Sequence, residues 1–339
     1  MDKLIRINEY SKTPKYQQII DSILSGIERG EIELDSKLPS VNRLLIDFDI
    51  SRDTIVKAYD RLQKIGVVQS VQGKGYFVKS EDTKRKARVF LLFNKLSTHK
   101  KIIYDSLYQT LGDQASIDFY IYNNDFRLFK NYITANLANN FSHFVIITHF
   151  LEGGQNAVDI INMIPKNKLI LLDKKVDGVV GNFGAVYQAF AKDIYNALTQ
   201  ALEPLKKYTK LKIILPSNSY HPYDIIIGFK DFCTEYAFDH EVVEDISACE
   251  IKQGDGFINV MEDDLVTLIK RIKVQDMEVG KDVGIVSYNE TPLKEVLLNG
   301  ITVISTDFKA LGKSVGQMIL ENRREQIANP FQLILRNSL

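Results

Sequence analysis

Two basic residues stand where they could bind a nucleic acid. Arg52 follows Ser51 at the start of a segment whose apolar residues recur at helical spacing, and Lys74 lies between Gly73 and Gly75 in a short turn. An arginine at a helix start can donate two hydrogen bonds to guanine in the major groove, and a lysine between two glycines can approach a phosphate. These residues predict contact with double-stranded DNA if neighbouring elements present them on one surface.

The surrounding segments predict three helices followed by a hairpin. Apolar residues from Tyr16 to Ile27 recur at helical spacing, and Gly30 is a typical helix stop. Ser40 is expected to cap a second helix and Ser51 a third, which ends at Gly66. Two short strands follow at 67–70 and 76–79, with Lys74 near the turn. A tight pair of helices followed by a hairpin predicts a winged helix-turn-helix.

The motifs of this region resemble the gluconate-repressor (GntR) family of bacterial regulators. The resemblance rests on Pro14, Tyr16 to Ile19, Leu38-Pro39-Ser40, Ser51-Arg52-x-Thr54, Ala58, Leu62, Gly66 and Gly73 to Val78. It implies that the start of the second helix, the start of the recognition helix and the wing touch DNA. The DNA-binding residues expected on both grounds are Ser40, Asn42, Arg43, Ser51, Arg52, Thr54, Lys57, Gly73, Lys74, Gly75 and Tyr76.

The sequence departs from that family at two positions. Asn42 stands where the second-helix arginine is usual, with Arg43 one place later, and Val56 replaces a further basic residue beside Lys57. The base preference of the family is therefore not carried over to this chain.

Length and charge indicate a second, larger domain. The chain has 339 residues and a formal net charge of zero, so it lacks the strongly basic character of many DNA-binding proteins. Weak net charge predicts specific binding through a homodimer that engages two half-sites. The charged stretch at 80–87 is expected to link a DNA-binding domain at 1–79 to a domain at 88–339.

Strand-length apolar runs alternate with helical segments after this linker. The predicted strands lie at 89–93, 117–122, 144–148, 169–172, 211–215, 256–261, 283–287 and 301–304, and the segments 126–137, 187–202 and 265–272 are amphipathic. This alternation predicts an α/β fold with two doubly wound parallel sheets that enclose a cleft.

The second part resembles the periplasmic-binding-protein-like effector module of lac-repressor-type (LacI) regulators. The strongest stretches are 284–293, 300–308, 311–312 and 333–339. Joined to a GntR-type head, such a module resembles sugar-responsive repressors of the arabinose type. The resemblance implies that a small effector, most simply a sugar or a sugar derivative, closes the cleft and changes the spacing of the DNA-binding heads.

The effector is expected to bind at the carboxyl ends of the strands, where doubly wound sheets hold their ligands. Polar groups there can bind hydroxyls, and aromatic rings can stack on a sugar. The candidates are Asn94, Lys95, His149, Phe150, Asp173, Tyr220, His221, Asp263 and Asn289. In the related regulators an arginine that binds the sugar commonly stands three residues before a Gly-Phe pair. The pair in this chain is Gly228-Phe229, so Ile225 occupies the corresponding position.

Few features of the sequence indicate an enzyme. The five histidines do not pair at metal-ligand spacing, and the two cysteines form no CxxC motif, so no metal site is expected. Nucleotide-binding and nucleophile-elbow motifs are missing as well, and no cofactor is predicted. The acidic run from Glu262 to Asp264 could support acid-base chemistry, but carboxylates at a helix start more often favour the helix dipole.

The hypothesis from sequence is therefore a transcription regulator of the repressor type, not an enzyme. Its expected partners are an operator in double-stranded DNA, a small effector and a second copy of the chain. The apparent lack of a signal peptide or membrane span predicts a cytoplasmic protein without a membrane partner. Two alternatives remain: a constitutive dimeric DNA-binding protein whose large domain binds no sugar, and a sugar-processing enzyme with an acquired DNA-binding head.

Overall fold

The computed structural model describes residues 5, 7, 14–80 and 87–339 of the chain. They belong to two compact units, Met1–Arg85 and Lys86–Leu339. Most of the predicted linker, residues 81–86, lies outside the described residues.

The first unit is a winged helix-turn-helix, as predicted. Its elements are α1 (Lys15–Glu28), α2 (Val41–Phe48), α3 (Arg52–Lys64), β1 (Val68–Val71) and β2 (Gly75–Val78). The two strands pair antiparallel, and Lys37 pairs with Phe77 on the other side of β2. The apolar faces of α1 and α3 enclose a core in which Tyr59 stacks on Tyr76 with ring centroids 4.2 Å apart.

The second unit contains two lobes, each built on a six-stranded sheet. Lobe 1 has the strand order β13-β7-β6-β5-β3-β4, and every neighbouring pair is parallel. Its strands are β3 (Ala87–Phe93), β4 (Ala115–Ile121), β5 (His143–Ile147), β6 (Leu169–Asp173), β7 (Gly184–Tyr187) and β13 (Gln326–Ala328), and its helices are α4 (Thr98–Leu111), α5 (Phe126–Asn136), α6 (Ala157–Asn162) and α12 (Phe308–Leu320).

Lobe 2 repeats this plan with the strand order β14-β12-β11-β10-β8-β9. Its strands are β8 (Lys210–Ile214), β9 (Asp239–Val243), β10 (Asp255–Asn259), β11 (Gly284–Tyr288), β12 (Thr302–Thr306) and β14 (Phe331–Ile334), and its helices are α7 (Phe190–Gln200), α8 (Leu202–Leu205), α9 (Asp224–Glu235), α10 (Glu262–Val274) and α11 (Pro292–Val296). The predicted parallel arrangement is confirmed except at β14, which runs antiparallel to β12.

Both sheets are covered by helices on two faces, which explains their continuous apolar strands. In β3, Val89 and Leu91 pack with α4 and α12, whereas Phe90 and Leu92 pack with α5 and α6. Successive side chains of a strand point to opposite faces, so a strand between two helical layers must be apolar throughout.

Three segments connect the lobes, and Asn329 forms hydrogen bonds between these segments. The chain crosses between β7 and α7, between β12 and α12, and between β13 and β14. The backbone N–H of Asn329 donates to the carbonyl oxygen of Tyr187 at 2.7 Å, and its side-chain amide donates to Thr306 Oγ1 at 2.8 Å and to the carbonyl oxygen of Asp307 at 2.9 Å. Asn329 itself lies in the segment between β13 and β14, so its bonds to the other two segments link all three crossings.

Within the described residues, no helix is both long and apolar enough to cross a membrane.

Candidate DNA-binding surface and effector cleft

The two predicted helix caps of the first unit are formed. Ser40 Oγ accepts a hydrogen bond from the Arg43 N–H at 3.2 Å, and Ser51 Oγ accepts one from the Thr54 N–H at 3.4 Å. Each bond satisfies one of the free N–H groups of a helix start. Ser51 Oγ also lies 2.8 Å from Thr54 Oγ1, so both predicted site residues contribute to the cap of α3.

The cap places Arg52 on the surface beside α2. Arg52 and Asn42 are both exposed, and Arg52 Nη1 donates to Asn42 Oδ1 at 3.4 Å. Arg43 is exposed as well and pairs with Asp47 at 3.2 Å, one helical turn further along α2. The structure therefore brings the predicted residues of α2 and α3 together at the start of the recognition helix.

The remaining predicted residues of this unit fall into two environments. Lys74 is exposed at the wing tip, where Gly73 and Gly75 have φ angles of +72° and +105°. Such angles favour glycine because it has no Cβ. The Lys57 amine instead lies 4.3 Å from the centre of the Tyr16 ring of α1, and Tyr76 is half-buried on Tyr59.

In lobe 1, Asp173 is the centre of a buried polar network at the end of β6. Its Oδ2 accepts from Lys100 Nζ at 2.7 Å and lies 3.1 Å from His149 Nε2, and its Oδ1 accepts from the Gln188 amide. Lys100, His149, Asp173 and Gln188 are all buried. Both carboxylate oxygens are thus occupied by protein groups, although the sequence predicted Asp173 as a ligand for sugar hydroxyls.

The charges in this network compensate each other. Burial alone would raise the pKa of Asp173, but Lys100 and His149 hold it well below its ordinary value. Burial lowers the pKa of His149, and the hydrogen bond to Asp173 opposes that effect only in part. The network therefore consists of one ion pair and two neutral donors.

Lys95, Tyr220 and His221 lie between the lobes beside this network. Lys95 Nζ in lobe 1 donates to the Tyr220 hydroxyl in lobe 2 at 2.6 Å. The Tyr220 ring centre is 4.4 Å from that of His221 and 6.1 Å from that of His149. Burial lowers the pKa of His221 to about 3, so this ring is neutral at physiological pH. The structure thus brings five predicted effector residues into one cluster: Lys95, His149, Asp173, Tyr220 and His221.

The other four predicted effector residues have different surroundings. Asn94 is buried and donates to Asn124 Oδ1 at 2.7 Å, and Phe150 packs on Phe129 with ring centres 4.9 Å apart. Asn289 has a φ angle of +64°, and its Oδ1 is buried without a partner. Asp263 is exposed in the first turn of α10, where its charge favours the helix dipole.

A cavity of about 730 Å³ opens beside the network at the carboxyl ends of β5, β6 and β7. Its wall includes Phe150, Gln188 and Phe190, of which only Phe150 belongs to the predicted set. Gln188 joins the cavity to Asp173 through its amide. Ile225, at the position of the expected arginine, is buried in the core of lobe 2.

Three buried residues with polar side chains were not expected from the sequence, namely Asp193, Tyr288 and Gln188, of which Gln188 bonds to Asp173. Gln188 and Asp193 follow β7, a strand that the apolar pattern did not indicate, and Tyr288 is the last residue of β11. Recognising β7 would have placed Gln188 at a strand end, where the other candidates were sought. No group of three or more histidine, cysteine, aspartate or glutamate residues in the described part of the chain is arranged to hold a metal ion.

Residues 15–78 match the model of the family described as bacterial regulatory proteins, gntR family. The HTH-type transcriptional regulator YydK of Bacillus subtilis is 37% identical over 81 residues, which are 24% of this chain and 34% of that protein. The arabinose metabolism transcriptional repressor of Geobacillus stearothermophilus is 38% identical over 65 residues, which are 19% of this chain and 18% of that protein. The chain spans less than two thirds of such relatives, with values of 34%, 14% and 62% for three of them.

The second unit has the fold of periplasmic binding proteins and LacI-type regulators. A periplasmic binding protein/LacI transcriptional regulator from Alkaliphilus metalliredigens, solved with D-xylulofuranose, superposes with a TM-score of 0.57 at 13% identity and covers 74% of this chain and 98% of that one. The chain therefore joins a winged helix-turn-helix that matches the gntR family model to a two-lobed unit whose fold is similar to that of LacI-type regulators.

Proposed function

We propose that the protein is a DNA-binding transcription regulator, of the repressor type, that a small effector controls. The exposed group formed by Asn42 and Arg43 of α2 with Arg52 at the start of the recognition helix α3, in a segment that matches the gntR family model, carries this proposal. A recognition helix enters the major groove with its N-terminal residues against the base edges. Lys74 at the wing tip would contact the phosphate backbone.

The proposed operator is nearly palindromic and is bound by a homodimer in the cytoplasm. Half-sites in such operators are spaced by about one helical turn or a multiple of it. An effector that binds one conformation of the two lobes more tightly than the other would shift the distance between the two heads and thereby the fit to the operator. The fold of the second unit and its cleft between the lobes support this mechanism. The curated relatives are regulators, which supports a non-enzymatic role.

The DNA-binding assignment is tested by a mobility-shift assay on the DNA upstream of the protein's own gene. Arg52→Ala should weaken binding by about 1–3 kcal/mol, the usual contribution of a bidentate contact to a base. Lys64→Ala is the matched control, because Lys64 is an exposed basic residue at the opposite end of α3. Equal affinity of the Arg52→Ala variant and the unmodified protein would overturn the assignment.

A second candidate function is a constitutive DNA-binding dimer whose large domain binds no sugar. Two observations favour it: both oxygens of Asp173 are occupied by protein groups, and Ile225 is buried where related regulators commonly have an arginine. This alternative predicts that no sugar changes the affinity for the operator or the melting temperature of the protein.

A further inference from the structure

We propose that residues 216–223, between β8 and α9, form a strap that fastens lobe 2 to lobe 1 through the side chain of Tyr220. The Tyr220 hydroxyl accepts a hydrogen bond at 2.6 Å from Nζ of Lys95, which follows β3 of lobe 1. The strap thus holds the two lobes in one relative position through groups of the protein itself. Its effect on operator binding rests on the proposed function, whereas the fastening does not.

The bond between Lys95 and Tyr220 lies far from the segments that connect the lobes. In lobe 1, β3 stands three strands from β7, and in lobe 2, β8 stands three strands from β12. The chain crosses between the lobes after β7 and after β12. Because neighbouring strands are about 4.8 Å apart, the bond joins the lobes about 14 Å from these crossings. When two lobes turn about their connecting segments, distant points separate most, so a bond at this point opposes opening effectively.

The strap presents Tyr220 in a restricted conformation. Pro216 and Pro222 stand on either side of it, and the ring of a proline fixes the backbone φ angle. The Ser219 N–H donates to the carbonyl oxygen of Pro216 at 3.1 Å, and Ser219 Oγ accepts from the His221 N–H at 3.1 Å. The ring centres of Tyr220 and His221 are 4.4 Å apart. The bond to Lys95 therefore costs little additional ordering of the strap.

Lys95 contacts Tyr220 in two ways. Besides its bond to the hydroxyl, Lys95 Nζ lies 4.2 Å from the centre of the Tyr220 ring. A hydrogen bond from a charged amine is stronger than one from a neutral donor, and the face of an aromatic ring attracts a cation. Two substitutions separate these contributions: Tyr220→Phe removes only the hydrogen bond, whereas Lys95→Met removes both interactions.

A second hydrogen bond joins the lobes nearer to their connecting segments. His99 Nε2, in the first turn of α4, lies 3.0 Å from the carbonyl oxygen of Glu290, which follows β11. The Glu290 carboxylate pairs with Arg336 at 2.5 Å, so this acceptor is anchored within lobe 2. Lys95 and His99 therefore bring the end of β3 and the start of α4 against lobe 2 at two points. With the bond of His99 intact, loss of the bond between Lys95 and Tyr220 should release the strap without unfolding either lobe.

The strap reverses the direction in which an effector would act on the lobes. A ligand that inserts between Lys95 and the strap must displace the Tyr220 side chain, so ligand binding and fastening compete for Lys95. Such a ligand favours the conformation in which the strap is released. The resemblance to related regulators implied the opposite, namely an effector that closes the cleft.

Hydrogen–deuterium exchange of the full chain tests the fastening without any ligand. The amides of Ser219 and His221 are hydrogen-bonded within the strap, so faster exchange of these amides reports its release. Tyr220→Phe should raise the exchange rate of the strap about tenfold, the usual effect of losing one hydrogen bond, and Lys95→Met should raise it by at least as much. The double variant should exchange no faster than Lys95→Met, because that substitution already removes every interaction of the pair.

Tyr223→Phe and Lys101→Met are the matched controls. Tyr223 belongs to the same strap but is 64% exposed, and Lys101 is an exposed lysine of α4 that pairs with Asp105. Both variants should keep the exchange rate of the unmodified protein, and the amides of β5 and β6 should be unaffected in every variant. Three results would overturn the proposal: unchanged strap exchange in Tyr220→Phe and Lys95→Met, an equal rise in β5 and β6, or a double variant whose rate rises by the product of the two single effects.

The mobility-shift assay separates the strap from its effect on DNA. Tyr220→Phe and Lys95→Met should change the affinity for the operator in the same direction, whereas Tyr223→Phe should leave it unchanged. Faster strap exchange with unchanged operator affinity would support the fastening and overturn its link to DNA binding. An unmodified protein that binds no operator would overturn the proposed function, and the exchange rates would still decide whether the strap fastens the lobes.

Discussion

At the residue scale, Asp173 shows how a strand-end carboxylate acquires a role that its position alone does not reveal. The sequence correctly places it at the end of β6, where ligands of such folds bind. Its partners come from α4, from the residues after β5 and from the residues after β7. Because these partners are distant in sequence, the pattern around Asp173 could not predict that its oxygens are occupied.

Removing only one partner of the Lys100–Asp173 ion pair should strongly destabilise the folded protein. Lys100→Met leaves a buried carboxylate without its cation, so the free energy of unfolding should fall by about 3–5 kcal/mol. Lys101→Met is the matched control: the neighbouring Lys101 is exposed and pairs with the exposed Asp105, so its loss should cost below about 1 kcal/mol. Denaturant unfolding measures both values, and similar losses in the two variants would contradict the role of the buried pair.

His143 should make the protein less stable in acid. Burial, together with the nearby Arg324 and Lys168, lowers its pKa to about 4, whereas an unfolded histidine titrates near 6.5. Between these values the unfolded state binds more protons, so stability falls as the pH drops from about 6.5 to about 4, by at most about 3 kcal/mol.

The contribution of His143 is isolated by its glutamine variant. His143→Gln should show a flatter loss of stability over this pH range than the unmodified protein when unfolding is measured at a series of pH values. Identical pH profiles of the two proteins would show that His143 is not held neutral in the folded state.

At the element scale, the helices of each lobe approach closely where a glycine faces a backbone. A Cβ at Gly312 of α12 would meet the carbonyl oxygen of Ile103 in α4, and one at Gly228 of α9 would meet the carbonyl oxygen of Ala191 in α7. The sequence contains both glycines inside helices, where glycine is normally unfavourable by roughly 1 kcal/mol. The close packing of the two helix pairs explains why they are there.

Gly312→Ala should therefore destabilise the protein although alanine is the better helix former. The added methyl group would push α12 away from the α4 backbone, and a loss of about 1–3 kcal/mol is expected from overpacking. Gly316→Ala, one turn along the same helix, should cost less, since its Cβ would meet the Thr110 side chain. Thermal unfolding measures both variants, and a larger loss at Gly316 would contradict this account of the α4 and α12 contact.

Four strands were not predicted, and their composition explains why. In β9, Asp239 is exposed and Glu241 is half-buried, and in β13 Gln326 is exposed. Strands β9, β13 and β14 lie at sheet edges, and β7 and β13 have only four and three residues. Short or partly exposed strands lack the apolar run by which the central strands were identified.

At the scale of the whole second unit, the lobes are connected by three segments that Asn329 holds together. Its amide bonds to Thr306 and Asp307, and its backbone bonds to Tyr187. Gln188 follows Tyr187 in one of these segments, so a ligand that contacts Gln188 would act directly on a connection between the lobes. This arrangement gives the proposed effector a physical path to the relative position of the lobes.

Asn329→Ala should lower the free energy of unfolding by about 1–3 kcal/mol, because it leaves the buried acceptors of Thr306 and Asp307, in the segment between β12 and α12, without their donor. Asn337→Ala is the matched control, since the amide of Asn337 is exposed and donates to the carbonyl oxygen of Asn299 at 2.8 Å, within lobe 2. Its loss should stay within about 0.5 kcal/mol. Denaturant unfolding gives both values, and equal losses would show that Asn329 does not hold the crossing segments together.

The sequence by itself determined the fold class, the winged helix-turn-helix and most of the central strands. These features depend on local signals: the spacing of apolar residues, the capping serines at 40 and 51, and the glycines of the wing. The same local signals also placed Arg52 at the start of a helix and Asp173 at the end of a strand.

Only the tertiary structure decided which polar residues share an environment. Lys100, His149, Asp173 and Gln188 come from four separate parts of the chain, and the pairing of their donors and acceptors depends on how the strands and helices of lobe 1 pack. Whether a buried polar atom has a partner is likewise a property of the folded arrangement. For that reason the unpaired atoms of Gln188, Asp193 and Tyr288 could not be read from the order of the residues.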